Sequence, residues 1–177
     1  MFLYRYFSDY TVSLPNFLYH SYDGPNCPPG YTFFNTTNFC YKSHVAVLRH
    51  IRARKVCLNE YAELTSIHSE VENNFVIALT RAAFPSGKEQ QTTKHRITIG
   101  LLYYHGDWRW FDGSEIVYTN FMKDMPFLLD NEMYTSIVMD ADKYTGRMSK
   151  EWKTELSYHK NYFVCKMKPL TGRSVFW

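Results

Sequence analysis

Positions along this chain follow two periods. Ala46, His50, Ala53 and Cys57 recur at i, i+4, i+7 and i+11, on one face of a helix predicted over 46–60. A second helix, over about 70–83, is announced by Ser69-Glu70-Val71-Glu72. There Ser69 can accept from the Glu72 amide while the Glu72 side chain reaches back. Val71, Phe75, Ala78, Leu79 and Ala82 give this helix an apolar stripe, and Phe84-Pro85-Ser86-Gly87 ends it. Past a polar loop over 86–95 the pattern turns β-like. Arg96–Tyr104, Trp108–Trp110, Tyr134–Met139 and Tyr162–Lys166 read as strands, as do Tyr31–Phe34 and Phe39–Lys42 around the turn Asn35-Thr36-Thr37-Asn38. Phe111-Asp112-Gly113-Ser114 is a turn, and Asn120 to Glu132 is an irregular loop.

Turn signals on both sides of Cys27 mark residues 1–26 as an extension. By its length the rest reads as one domain, 27–168, with a short tail, 169–177. The 177 residues are 45% hydrophobic and 21% charged, which describes a packed chain and not a disordered one. Aromatics reach 18%, and such rings suit a compact fold with few regular elements because each buries much area. A net charge of +3 calls for neither nucleic acid nor an anionic membrane. Met1 to Tyr22 is interrupted by Arg5, Asp9 and Pro15 and lacks a small-residue cleavage site. It is a poor leader and a worse span, so either a leader is missing or the chain is part of a longer protein. No other stretch reads as a membrane span.

Four cysteines, Cys27, Cys40, Cys57 and Cys165, favour two disulfides and an oxidising compartment. Zinc is the weaker reading, because no C-x-x-C pair is present. Spacing alone leaves all three connectivities open. Asn35-Thr36-Thr37 is a glycosylation sequon at a turn tip, though a chance match is the alternative. Arg49, Arg52, Arg54 and Lys55 form a basic run, read first as a solvated helix surface and second as a site for anionic glycans. The chain lacks His-Glu-x-x-His, Gly-x-Ser-x-Gly and a Gly-rich phosphate loop, so no catalytic residue is assigned. His50, on the core-facing stripe, reads as structural.

Several blocks then fall in a familiar order. They are Cys27-Pro28, Gly30-Tyr31, Cys40-Tyr41, Ala53 with Cys57, and Ala62-Glu63-Leu64-Thr65-Ser66-Ile67-His68-Ser69. Thr98-Ile99-Gly100-Leu101, the run from Trp108 to Phe121, and Tyr162-Phe163-Val164-Cys165 follow. Together they resemble the C-type lectin-like domain over about residues 27–167, and His68 to Phe75 is similar to the nematode branch. The resemblance implies an α+β fold with two helices flanking a mostly antiparallel twisted sheet, a long loop region, and the pairs Cys27–Cys40 and Cys57–Cys165. The cysteines of the family's third bridge match Ser136 and Ser157, and a hydrogen bond between these serines could partly replace it.

Sugar-binding members of that family hold calcium in the long loop. Here the matching triplet is Met125-Pro126-Phe127, in which the resemblance implies a cis Pro126. The family's Trp-Asn-Asp is Trp152-Lys153-Thr154, and a carboxylate position is Tyr134. Calcium needs six to eight oxygens. Asp124, Asp130, Glu132, Asp140 and Asp142 are scattered and read as solubilising acids, although a weak rearranged site stays open. The expectation is therefore no cofactor. Candidate ligand residues are Met125, Phe127, Leu128, Lys153 and Trp108. The cluster Phe127-Leu128-Leu129 either packs onto the domain, the preferred reading, or forms an exposed patch. Trp110 and Trp152 read as core rings, with Trp108 the ring expected at the surface. The function implied is secreted, non-enzymatic recognition of an extracellular protein or glycan without calcium, with a role in innate defence. The alternatives are a lectin using the basic or aromatic surface, and an assembly module forming homodimers through the loop.

Overall fold

The computed structural model describes residues 26–83, 95–126, 128–139 and 149–170. The N-terminal extension except for Asn26, the polar loop 86–95 except for His95, Phe127, Asp140, Asp142 and most of the tail lie outside them. The described strands are β1 (Thr32–Phe34), β2 (Phe39–Arg49), β3 (Glu63–Leu64), β4 (Arg96–Tyr104), β5 (Asp107–Trp110), β6 (Glu132–Val138), β7 (Trp152–Glu155) and β8 (Lys160–Met167). The helices are α1 (His50–Asn59) and α2 (Glu70–Ala82). The strands form one sheet in the order β1-β2-β8-β4-β6-β7, with β3 on β8 and β5 on β4. Among the described strands only β4 and β8 pair in parallel.

Strand β8 divides the core. Side chains alternate across a strand, so Val164 packs with Tyr41, Ile67, Val76 and Ile99 on the α2 side. Phe163 and Cys165 face Ala53, Cys57 and Leu64 on the α1 side. The disulfides are Cys27–Cys40 and Cys57–Cys165, the second joining α1 to β8. The α+β arrangement and both pairings are as expected.

Two helix readings need correction. Helix α1 begins at His50, not 46, because β2 continues to Arg49, with Leu48 and Arg49 paired to Asn161 and Lys160. The β-branched Val45 and Val47 suit that extended backbone. His50, Ala53 and Cys57 are buried as predicted, while Ala46 is exposed. On α2 the stripe is rotated. Val71, Ala78 and Ala82 are exposed, and the buried face is Glu72, Asn73, Val76, Ile77 and Thr80. Polar side chains on that face are satisfied internally, which apolar periodicity cannot reveal. Ser69 caps α2 by accepting from the Glu72 amide. The Glu72 carboxylate reaches back to the His68 amide, one residue earlier than a capping box places it. Strands β3 and β7 were not anticipated. No helix among the described residues is long and apolar enough to cross a membrane.

Candidate ligand face at the long loop

Trp152, fully buried at the start of β7, organises the loop. Its indole N–H donates to Asn73 Oδ1 at 2.9 Å. Trp110, Tyr118 and Phe121 meet its ring edge to face, with centroids 5.5–5.9 Å away. Asn120 O accepts from the Trp152 amide and Met122 N donates to the Trp152 carbonyl, stitching the loop to β7. Trp110 is 2% exposed, so both rings belong to the core as predicted. Trp108 does not stand free: it is half-buried, between Tyr103 at 5.3 Å and Phe121 at 5.4 Å. These neighbours cover the ring expected at the surface.

Beyond Phe121 the chain turns at Lys123-Asp124, with Met125 N donating to Met122 O, and enters a cis Met125–Pro126 peptide bond. The half-buried Met125 turns its sulfur to Thr154, whose hydroxyl donates to Sδ at 3.5 Å. Lys153 is half-buried and lies opposite Ser136 in the β6–β7 register. Strand alternation puts Lys153 on the other side of β7 from Thr154, so it does not join Met125. Tyr134 packs on His50 with centroids 3.9 Å apart, and its hydroxyl donates to Glu132. The positions that the resemblance matches to the family's calcium ligands carry a thioether, a hydroxyl, an ammonium and a phenol. Only the hydroxyl and the phenol offer oxygen, and neither is charged, whereas calcium takes six to eight oxygens.

The two leucines after Phe127 do not pack down. Leu128 is 43% and Leu129 63% exposed, bordering with Tyr103, Asp130 and Asn131 an open cleft of about 350 Å³. The preferred expectation of packing fails for both; Phe127 itself lies outside the described residues.

The two serines do not replace the missing bridge. Ser136 is buried with its hydroxyl unpartnered, while Ser157 is exposed in a turn. The nearby tie is Glu155, which sequence reasoning missed. Its buried carboxylate pairs with Arg96 and accepts from Asn161 Nδ2 at 2.6 Å, joining β7 to β4 and β8.

Other candidate chemistry resolves into structure. Arg54 forks onto Glu63 and lies over the Phe111 ring at 3.9 Å. His68 Nε2 lies 3.1 Å from both Ser66 Oγ and Ser114 Oγ, and both serines donate to Asp112. In a catalytic triad the carboxylate orients the imidazole; here Asp112 takes the hydroxyls instead. Burial holds the His68 imidazole below its ordinary range, and the hydroxyls and Lys166 hold the Asp112 carboxyl low despite burial. His44, Glu60 and Cys165 cluster as a metal site would, but Cys165 is in a disulfide and Glu60 already accepts from Lys42 and Tyr31. Asn35 stands exposed at the β1–β2 turn, and Thr37 Oγ1 is 2.8 Å from Tyr41 Oη.

Two helices on a mixed sheet, two bridges and a long loop anchored on a buried tryptophan define a C-type lectin-like domain. Residues 49–167 match the family described as Lectin C-type domain, and the chain belongs to that family. It is 30% identical to C-type lectin lectoxin-Lio1 of Erythrolamprus poecilogyrus over 157 residues, 86% of each chain. Its fold is similar to that of C-type lectin CEL-I of Cucumaria echinata, with TM-score 0.64, 21% identity, and coverage of 81% and 99% of the two chains. A calcium-independent type II antifreeze protein shares the fold at TM-score 0.63 and 19% identity, covering 81% and 95%.

Proposed function

We propose that this chain is a secreted, non-enzymatic recognition domain whose lectin-like unit, residues 27–168, binds a protein or carbohydrate through the long-loop face without calcium. The observation that carries this reading is the loop itself. Met125 and Thr154 satisfy each other at the position that would hold calcium, while Leu128 and Leu129 stand in solvent beside Tyr103. Exposed leucines of this kind mark a contact surface. Two disulfides agree with an oxidising compartment. A place in innate defence is consistent with the family, and the exposed Asn35 is a glycosylation site in this reading. A glycan and protein array run with calcium and with chelator tests the proposal. Binding that persists with chelator and is lost in Leu128→Ser/Leu129→Ser supports it. Binding that vanishes with chelator overturns it.

The same two leucines favour a second reading, self-association through the loop. A mass that rises with concentration and falls to the monomer in Leu129→Ser would establish it.

A further inference from the structure

We propose a second site, separate from the long-loop face, at which Arg49, Arg52 and Lys160 bind a sulfate ester of a glycan. Arg49 ends β2, Lys160 begins β8, and the two are directly opposite in the antiparallel register. Arg52 lies in the first turn of α1, three residues beyond Arg49. With Val47 and Leu48 these side chains line one cleft of about 260 Å³.

Like charges placed opposite each other across strands repel. No carboxylate answers any of these three among the described residues, whereas Lys42, Arg54, Arg96 and Lys166 each pair with one. The first turn of α1 adds to the imbalance, with no acidic residue and no side-chain cap. The cluster therefore raises the energy of the empty fold, and an oxyanion relieves it. Two guanidinium groups and an ammonium match a tetrahedral oxyanion, which takes forked hydrogen bonds from arginine. Val47, 49% exposed, offers an apolar wall to the sugar ring. In the extracellular setting, which this inference shares with the proposed function, sulfate esters are the abundant polymer-borne tetrahedral oxyanions. The site does not depend on the loop face.

The probe is a heparin-derived hexasaccharide, with a phosphorylated oligosaccharide and the desulfated hexasaccharide as comparison arms. Arg49→Gln/Arg52→Gln should lower affinity for the sulfated probe by about tenfold or more, the scale of one charged hydrogen bond. Lys123→Gln/Lys168→Gln removes the same charge at exposed positions elsewhere and should change affinity less than about twofold. Leu128→Ser/Leu129→Ser should leave it unchanged, so failure here is distinct from failure of the loop reading. Relief of repulsion should also raise the melting temperature of Arg52→Gln/Lys160→Gln at low salt. Equal losses in both charge pairs, preference for the phosphorylated probe, or no binding by the parent chain would overturn the proposal.

Discussion

Lys166 Nζ lies 2.7 Å from Glu72 Oε1, and the two side chains are 4% and 1% exposed. The ammonium also donates to Ser66 O and Oγ. The carboxylate accepts from the Tyr41 hydroxyl at 2.7 Å and from the His68 amide at 2.8 Å. Burial, and then the bond to Glu72, push the Tyr41 phenol far above its ordinary range. The pair thus locks α2 to β2 and β8. Lys166→Met should destabilise the fold by about 3–5 kcal/mol, because it strands a buried carboxylate. Adding Glu72→Gln should cost much less than the sum of the single changes, since the groups share one network. Urea unfolding of the three variants checks this, and simple additivity would refute it.

The two bridges should differ in weight. Cys57–Cys165 spans a sequence separation of 108, Cys27–Cys40 one of 13. Chain entropy assigns about 4.7 kcal/mol to a loop near the first length and about 3 kcal/mol to one near the second. Replacing both cysteines of the long bridge by alanine should lower the melting temperature by about 4 °C or more beyond the same change in the short bridge. Equal melting temperatures would contradict the entropic account.

Much of this fold was legible where local chemistry is unambiguous: the Ser69 cap, the β4 strand, the buried face from His50 to Cys57. The buried charges were not. Lysine and glutamate are usually surface residues, and nothing near Glu72 announces a partner at Lys166. The same holds for Arg96 and Glu155. At the candidate site, motif positions pointed to the loop and to its cis Met125–Pro126 bond. They could not show that Tyr103 and Phe121 cover Trp108, or that Leu128 and Leu129 stay in solvent. Those facts arise from packing between distant segments.

Gly100 marks the closest approach of β4 to the β3 region. Its amide donates to Thr65 O at 2.9 Å, and a Cβ there would sit 2.6 Å from the Leu64 backbone oxygen. Backbone cannot yield as a flexible side chain does. Gly100→Ala should therefore cost about 1–3 kcal/mol, the usual range for overpacking. Gly113→Ala meets no neighbouring atom within 4 Å but carries φ +76°, so its penalty is backbone strain alone. Thermal unfolding of both separates steric collision from strain, and a Gly100→Ala variant as stable as the parent would show that β4 can move away.

His50 makes stability depend on pH. Its ring is 3% exposed, packed on Tyr134 and Phe111, with Nε2 3.3 Å from Ile99 O. Burial holds the imidazole down at about 3, the Ile99 bond opposing and Arg54 adding to the effect. In the unfolded chain the same group titrates near 6.5. Between these values the unfolded state binds the extra proton. The His50 contribution is therefore undiminished above about pH 6.5 and is lost progressively as pH falls towards 3. Each pH unit in that window costs about 1.4 kcal/mol, so pH 5 costs about 2 kcal/mol. Burial also lowers His44 and His68, which act in the same direction and remain in any His50 variant. His50→Gln should reduce the loss of unfolding free energy between pH 7.5 and pH 5 by about 2 kcal/mol relative to the parent. Equal losses in the two proteins would mean that the pocket opens to admit the charged ring.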